Sequence, residues 1–158
     1  MVDLLVKLYE LKDDWRFLIE QEKIGVTIRK PIGPEKHLII DWVRDKFSDA
    51  WASETDIAIS NSPKTCFVAI TDNQIIGFAC YDATALGYFG PIGVKGTCRG
   101  KGTGKALLLA CLLEMKLKGY GYAIIPTDHI DFYGKAVGAV EIPDTSPGIF
   151  KTWLRREQ

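Results

Sequence analysis

What this sequence lacks narrows its function before any motif is read. It has only two histidines, His37 and His129, on separate predicted helices. Its four cysteines, Cys66, Cys80, Cys98 and Cys111, fall in neither Cys-x-x-Cys nor Cys-x-His spacing. No metal site and no thioredoxin-like redox motif is therefore expected, and the cysteines read as reduced thiols of a cytoplasmic protein. Charge of one sign is not in excess, since 20 Lys plus Arg stand against 20 Asp plus Glu. That balance argues against broad attraction to nucleic acid or to an anionic membrane. No run approaches the ~20 apolar residues that a bilayer span needs. Residues 1–7 lack the basic segment and long apolar stretch of a secretory signal. The partner expected from these absences is a small molecule.

What is present is enough apolar residue for one core: 158 residues, 47% hydrophobic, read as a single domain spanning 1–158. Residues 1–23 suggest an added strand and short helix, a candidate cover for the site or homodimer contact. The main unit spans 24–155. Its first strand is expected at 26–29, followed by amphipathic helices at 34–47 and from Ser48 or Asp49 onward. Residues 66–70 and 75–81 are rich in β-branched and aromatic types around the polar turn Thr71-Asp72-Asn73-Gln74, which predicts a hairpin. A third strand at 86–94 contains Gly87, Gly90, Pro91 and Gly93. It should bulge or splay rather than pair evenly. Residues 104–118 predict a buried helix closed by Gly119. Strands follow at 122–125, 140–142 and 149–154, with a helix at 128–137. Strand, buried helix and strand form a parallel crossover, so the fold is α/β with a mixed sheet.

The segment Arg99-Gly100-Lys101-Gly102-Thr103-Gly104-Lys105 enters that buried helix. Backbone N–H groups at such a turn have no intrahelical partner, the helix dipole adds positive character, and glycine allows a close approach to an anion. Arg99, Lys101 and Lys105 add full charges, so a phosphate grip is expected. Two common phosphate loops fail by register. A P-loop needs Gly where Arg99 stands and Ser or Thr where Ala106 stands, and a dinucleotide fingerprint from Gly100 needs Gly where Lys105 stands.

The register that fits is Arg-x-x-Gly-x-Gly, filled by Arg99, Gly102 and Gly104, with Gly90-Pro91-Ile92-Gly93-Val94 before it and Phe132-Tyr133-Gly134-Lys135-Ala136-Val137-Gly138 after it. With these motifs the chain resembles the GCN5-related N-acetyltransferase (GNAT) family over residues 24 to 155. The resemblance implies a three-layer α/β fold, with helices on both faces of a mixed, mostly antiparallel sheet splayed between the family's fourth and fifth strands. Acetyl-coenzyme A would lie in the splay. The Ile92 N–H would face the thioester oxygen, Gly93 would continue that strand, and Val94 would bond the pantetheine amide. Arg99, Gly100, Lys101, Gly102, Thr103, Gly104 and Lys105 would hold the pyrophosphate.

By the same resemblance Tyr133 is the general acid for the departing thiolate. A phenol suits this because its ordinary pKa, about 10, keeps it protonated at neutral pH. Glu54 and Asp82 are the candidate bases for the incoming amine. Two departures from the family pattern are visible. Pro126-Thr127 stands where an Asn is common, and Gly138-Ala139 where Gly-Phe is usual. The function implied is acetyl transfer from acetyl-coenzyme A to the amine of a small molecule. A non-catalytic acyl-coenzyme A-binding module and a protein or peptide N-acetyltransferase remain as alternatives.

Overall fold

A computed structural model describes residues 1–157. Two sheets carry it. One has the order β2 (Thr27–Arg29), β3 (Cys66–Thr71), β4 (Gln74–Tyr81) and β5 (Phe89–Val94), with every neighbouring pair antiparallel. The other places β1 (Val2–Lys7) between β6 (Tyr122–Thr127) and β7 (Val140–Glu141), antiparallel to both. The helices are α1 (Arg16–Lys23), α2 (Lys36–Lys46), α3 (Asp49–Ser60), α4 (Thr103–Leu117) and α5 (Ile130–Val137). Among the described residues no helix is long and apolar enough to cross a membrane.

Local chemistry sets most of these boundaries. The β3–β4 hairpin turns on Asp72 and Asn73, both at positive φ (48° and 59°), as a two-residue turn between right-twisted strands requires. The Ser48 hydroxyl accepts the Trp51 N–H and so caps α3. Gly119, at φ 100°, ends α4. Its N–H donates to the Lys116 carbonyl and that of Tyr120 to the Met115 carbonyl, which satisfies two orphan acceptors. Gly138 ends α5 in the same way, so the chain doubles back into β7.

The core has two parts. On one face of the sheets, α4 buries Leu107, Leu108, Cys111, Leu112 and Met115 against Leu4, Val6, Ala79, Tyr81, Ala123, Ile125 and, from α5, Tyr133 and Val137. On the other face, α2 and α3 bury Ile39, Val43, Ala52 and Ile59 against Cys66, Val68, Phe78 and Cys80. The splay foreseen at residues 86–94 lies between β5 and β6. There the two sheets share a single parallel bridge, Tyr88 to Ile124, with the Ile124 N–H donating to the Gly87 carbonyl.

Two expectations need correction. Residues 149–154 form no strand; Gly148–Thr152 is a 3-10 helix. Pro143 and Pro147 interrupt the approach, and Pro has no N–H to give a ladder. The second concerns the N-terminal stretch, expected to be an addition. Its strand instead fills the middle of the three-stranded sheet, with Leu4 and Val6 fully buried. Leu4→Ala should accordingly lower unfolding stability by about 2–5 kcal/mol, the cost of a buried cavity. Chemical denaturation checks this; a change near zero is the result expected of a dispensable appendage.

Candidate functional site

The site is built where β5, α4, β6 and α5 meet. Main-chain groups alternate sides along a strand. The Lys95 N–H bonds the Ile76 carbonyl at 2.7 Å and so faces β4. By alternation the N–H groups of Ile92 and Val94 face the open edge, toward β6. Their side chains pack into the α4 face of the core. Gly93 points the opposite way, where an added Cβ would stand 2.4 Å from the Phe47 ring. Glycine is required there so that an aromatic side chain can lie against the strand backbone.

Beyond Val94 the chain makes a 3-10 turn, Gly96–Cys98, and then the glycine-rich segment. Gly100 and Gly102 hold φ of 82° and 80°, a region that disfavours any side chain, and Gly102 caps α4. Ala106 makes the first intrahelical bond, to the Gly102 carbonyl at 3.0 Å. The N–H groups of Thr103, Gly104 and Lys105 therefore have no carbonyl behind them in the helix. Lys101 and Lys105 are exposed beside them. Arg99 folds back, its Nε donating to the Val94 carbonyl at 3.2 Å, which ties the turn to the free edge of β5.

Gln21 of α1 is a residue that sequence reasoning missed. It is buried, and its Nε2 donates to the Lys101 carbonyl at 3.0 Å while its Oε1 accepts from Thr103 Oγ1 at 2.7 Å. One amide thus spans the turn and locks both ends of the Lys101-Gly102-Thr103 cap. Its only sequence signal was position, three residues after Leu18 on the inward face of a short helix. Beside it lies a cavity of about 500 Å³, lined among others by Arg16, Phe17, Lys101, Lys105 and Leu109.

Tyr133 is 5% exposed, and its ring meets that of Phe89, the first residue of β5, at 6.3 Å. Burial pushes its hydroxyl up to about 12. Since α5 follows β6, this contact sets the Tyr133 ring against the first residue of β5, next to the Tyr88–Ile124 bridge from which the two strands part. Glu54, on α3, accepts from Thr84 Oγ1 at 2.5 Å, and burial raises its pKa above the ordinary carboxylate value, partly offset by that bond. Asp82 has a different employment. At φ 52° it turns the chain out of β4. Its carboxylate accepts the Gly87 N–H at 2.7 Å and the Tyr120 hydroxyl at 2.5 Å. Those bonds hold the 82–88 loop that delivers β5, and the Asp82 bond, with some burial, pushes Tyr120 up to about 12. The structure thus brings Ile92, Val94, residues 99–105 and Tyr133 to the splay, with Glu54 on the α2–α3 side and Asp82 acting as a brace.

The Glu54 environment makes a stability prediction. Its raised folded pKa means that the native state binds this proton more tightly than the unfolded chain, so stability falls as pH rises from the ordinary value, 4.5, through the raised one. Glu54→Gln removes that loss. Its unfolding midpoint relative to the parent should be higher at pH 7 than at pH 4; a difference independent of pH contradicts the assigned burial.

Comparison with known proteins agrees with this architecture. The family model described as "Acetyltransferase (GNAT) family" matches residues 36–139. A glucosamine N-acetyltransferase region of a fungal multi-domain beta-N-acetylglucosaminidase superposes with a TM-score of 0.72 at 15% identity, over 89% of this chain and 19% of that one. A GCN5-related N-acetyltransferase from Sphaerobacter thermophilus gives 0.66 at 19% identity, over 89% and 48%. A GNAT family acetyltransferase from Brucella melitensis in complex with acetyl-CoA gives 0.55 at 19% identity, over 70% and 80%. The chain spans under half the length of the first two. No curated protein sequence matches it.

Proposed function

The chain belongs to the acetyltransferase (GNAT) family, and from that premise we propose that it moves the acetyl group of acetyl-coenzyme A to the amine of a small molecule in the cytoplasm. The observation that carries this is the open edge of β5 running directly into the bare N-terminus of α4. An extended amide-bearing arm that ends in a pyrophosphate matches both halves at once. The acetyl-CoA bound by the Brucella melitensis relative supports the donor. Four free cysteines support a reducing compartment.

In this reading the Ile92 N–H donates to the thioester oxygen and stabilises the negative charge that grows there as the amine attacks. The amine nitrogen forms a bond to the carbonyl carbon, the carbon–sulfur bond breaks, and the sulfur leaves as thiolate. Tyr133 faces that sulfur. With its pKa pushed up to about 12 by burial, against about 8.5 for a thiol, complete proton transfer from the phenol to the thiolate is uphill. Its main service is therefore a hydrogen bond to the departing thiolate, strengthened by the charge on the sulfur, and the thiolate takes its proton from solvent as coenzyme A is released. The proton lost by the amine goes to the Glu54 carboxylate, directly or through water, since burial makes that group a better base than an exposed carboxylate. The products are the N-acetylated amine and free coenzyme A.

A coenzyme A-release screen over polyamines, amino acids, aminoglycosides and peptides tests the function and separates small amines from protein acceptors. With an active amine, Tyr133→Phe should lower kcat by about 10²-fold or more while acetyl-coenzyme A affinity changes less than about threefold. Unchanged kcat would show that the phenol has no part in thiolate departure. Tight acetyl-coenzyme A binding with no amine-dependent release would favour a binding module.

A further inference from the structure

The segment after β7 does not continue as a strand, and its two ends are fastened to opposite sides of the splay. At its root the Thr145 hydroxyl accepts the Asp3 N–H and donates to the Ile142 carbonyl, both at 2.9 Å, while the Ile142 N–H bonds the Asp3 carbonyl. Gly148, at φ 61°, lies so close to Asp3 that an added Cβ would stand 3.3 Å from the carboxylate. Asp3 alternates with Leu4, whose side chain is in the α4 core, so the Asp3 side chain faces the α2–α3 side. Its charge is also felt by Tyr88, the residue of the bridge that closes the splay.

The outer end of the segment reaches across to α3. Arg156 stands 3.8 Å from Asp49, the first residue of α3, which also pairs with Arg44 at 3.4 Å. Asp49 lies two residues beyond Phe47, the ring that rests on Gly93 in β5. Between root and latch the 3-10 helix Gly148–Thr152 brings the Phe150 and Trp153 rings to 5.6 Å. Trp153 is 56% exposed and Leu154 90%, so these side chains are not built into either core cluster.

We propose that residues 148–156 are a strap across the acceptor side of the splay, with Phe150 and Trp153 as its specificity-determining residues. This rests on the acetyl-transfer reading and deepens it by naming what limits the amine. The root is held by directional bonds. The latch is one long ion pair between exposed groups, a class worth little in water. A strap fixed at one end and weakly held at the other admits a slender primary amine beneath its ring pair and must unlatch for a bulky one. A flexible cover of this type also keeps water from the thioester while the amine site is empty.

Amide hydrogen exchange and an amine panel test it together, on the full chain, Arg156→Glu, Trp153→Ala and a chain ending at Pro147. Arg156→Glu sets a carboxylate against Asp49. In that variant and in the shortened chain, exchange at Ile92, Val94 and residues 47–51 should rise at least about fivefold, with residues 103–105 unchanged. Trp153→Ala, tried with propylamine, spermidine and tyramine, should lower KM for tyramine relative to propylamine by about tenfold and leave acetyl-coenzyme A affinity unaltered. Unchanged exchange at Ile92 and Val94 in the shortened chain overturns the strap whether or not any amine turns over. An unchanged tyramine to propylamine ratio overturns the specificity role. Exchange that responds as stated in a protein that acetylates no amine supports the strap and counts against acetyl transfer.

Discussion

One gap in hydrogen bonding organises this molecule. β5 and β6 run parallel yet meet at one bridge, Tyr88 to Ile124, and then separate. The alternating groups of Ile92 and Val94 are left without a strand partner beside a helix whose first N–H groups are also free. Unpaired main-chain groups are costly unless water or a ligand satisfies them. An arm with amides along its length and phosphates at one end answers both deficits. Pro91 falls by the same alternation on the β4 side, where the β4–β5 register shifts between Ala79 and Tyr81, so the irregularity it brings lies in that ladder while the β6 side stays unpaired.

The surroundings hold that gap at a fixed width. Asp82 clamps the loop that delivers β5, through Gly87 and Tyr120. Gln21 clamps the turn that leaves it, through Lys101 and Thr103. Neither side chain is in the nominal motif. On the far bank, β6 is steadied by β1, whose six-residue register with it is continuous. The N-terminal segment therefore positions the site twice, once by its strand and once by its helix.

Much of this was legible in the sequence because backbone requirements leave marks. The positive-φ glycines at 100 and 102, the Asp-Asn hairpin turn, the Ser48 cap and the broken pattern of β5 all name their conformations directly. Sheet neighbours leave no such mark. Leu4 to Leu11 reads as an extended piece by composition, yet nothing in it says that the strand Val2–Lys7 pairs with residues 122–127 and 140–141. Residues 149–154 carry the apolar types of a strand, but the prolines at 143 and 147 break the approach and the chain turns into the 3-10 helix Gly148–Thr152. Gln21 and the Phe47–Gly93 contact are products of tertiary packing across long sequence separations. Asp82, a candidate base by its place after a strand, accepts from Gly87 and Tyr120, and no local pattern in the sequence announces that it braces this loop.

The most direct measurement of the central claim is a titration of the ¹⁵N-labelled protein with coenzyme A, followed by amide chemical shifts. The account predicts large shifts at Ile92, Val94, Thr103, Gly104 and Lys105, with little change along β3, whose ladder is closed on both sides. Shifts confined to residues outside β5 and the α4 turn, or no saturable shift at those five amides, would contradict it.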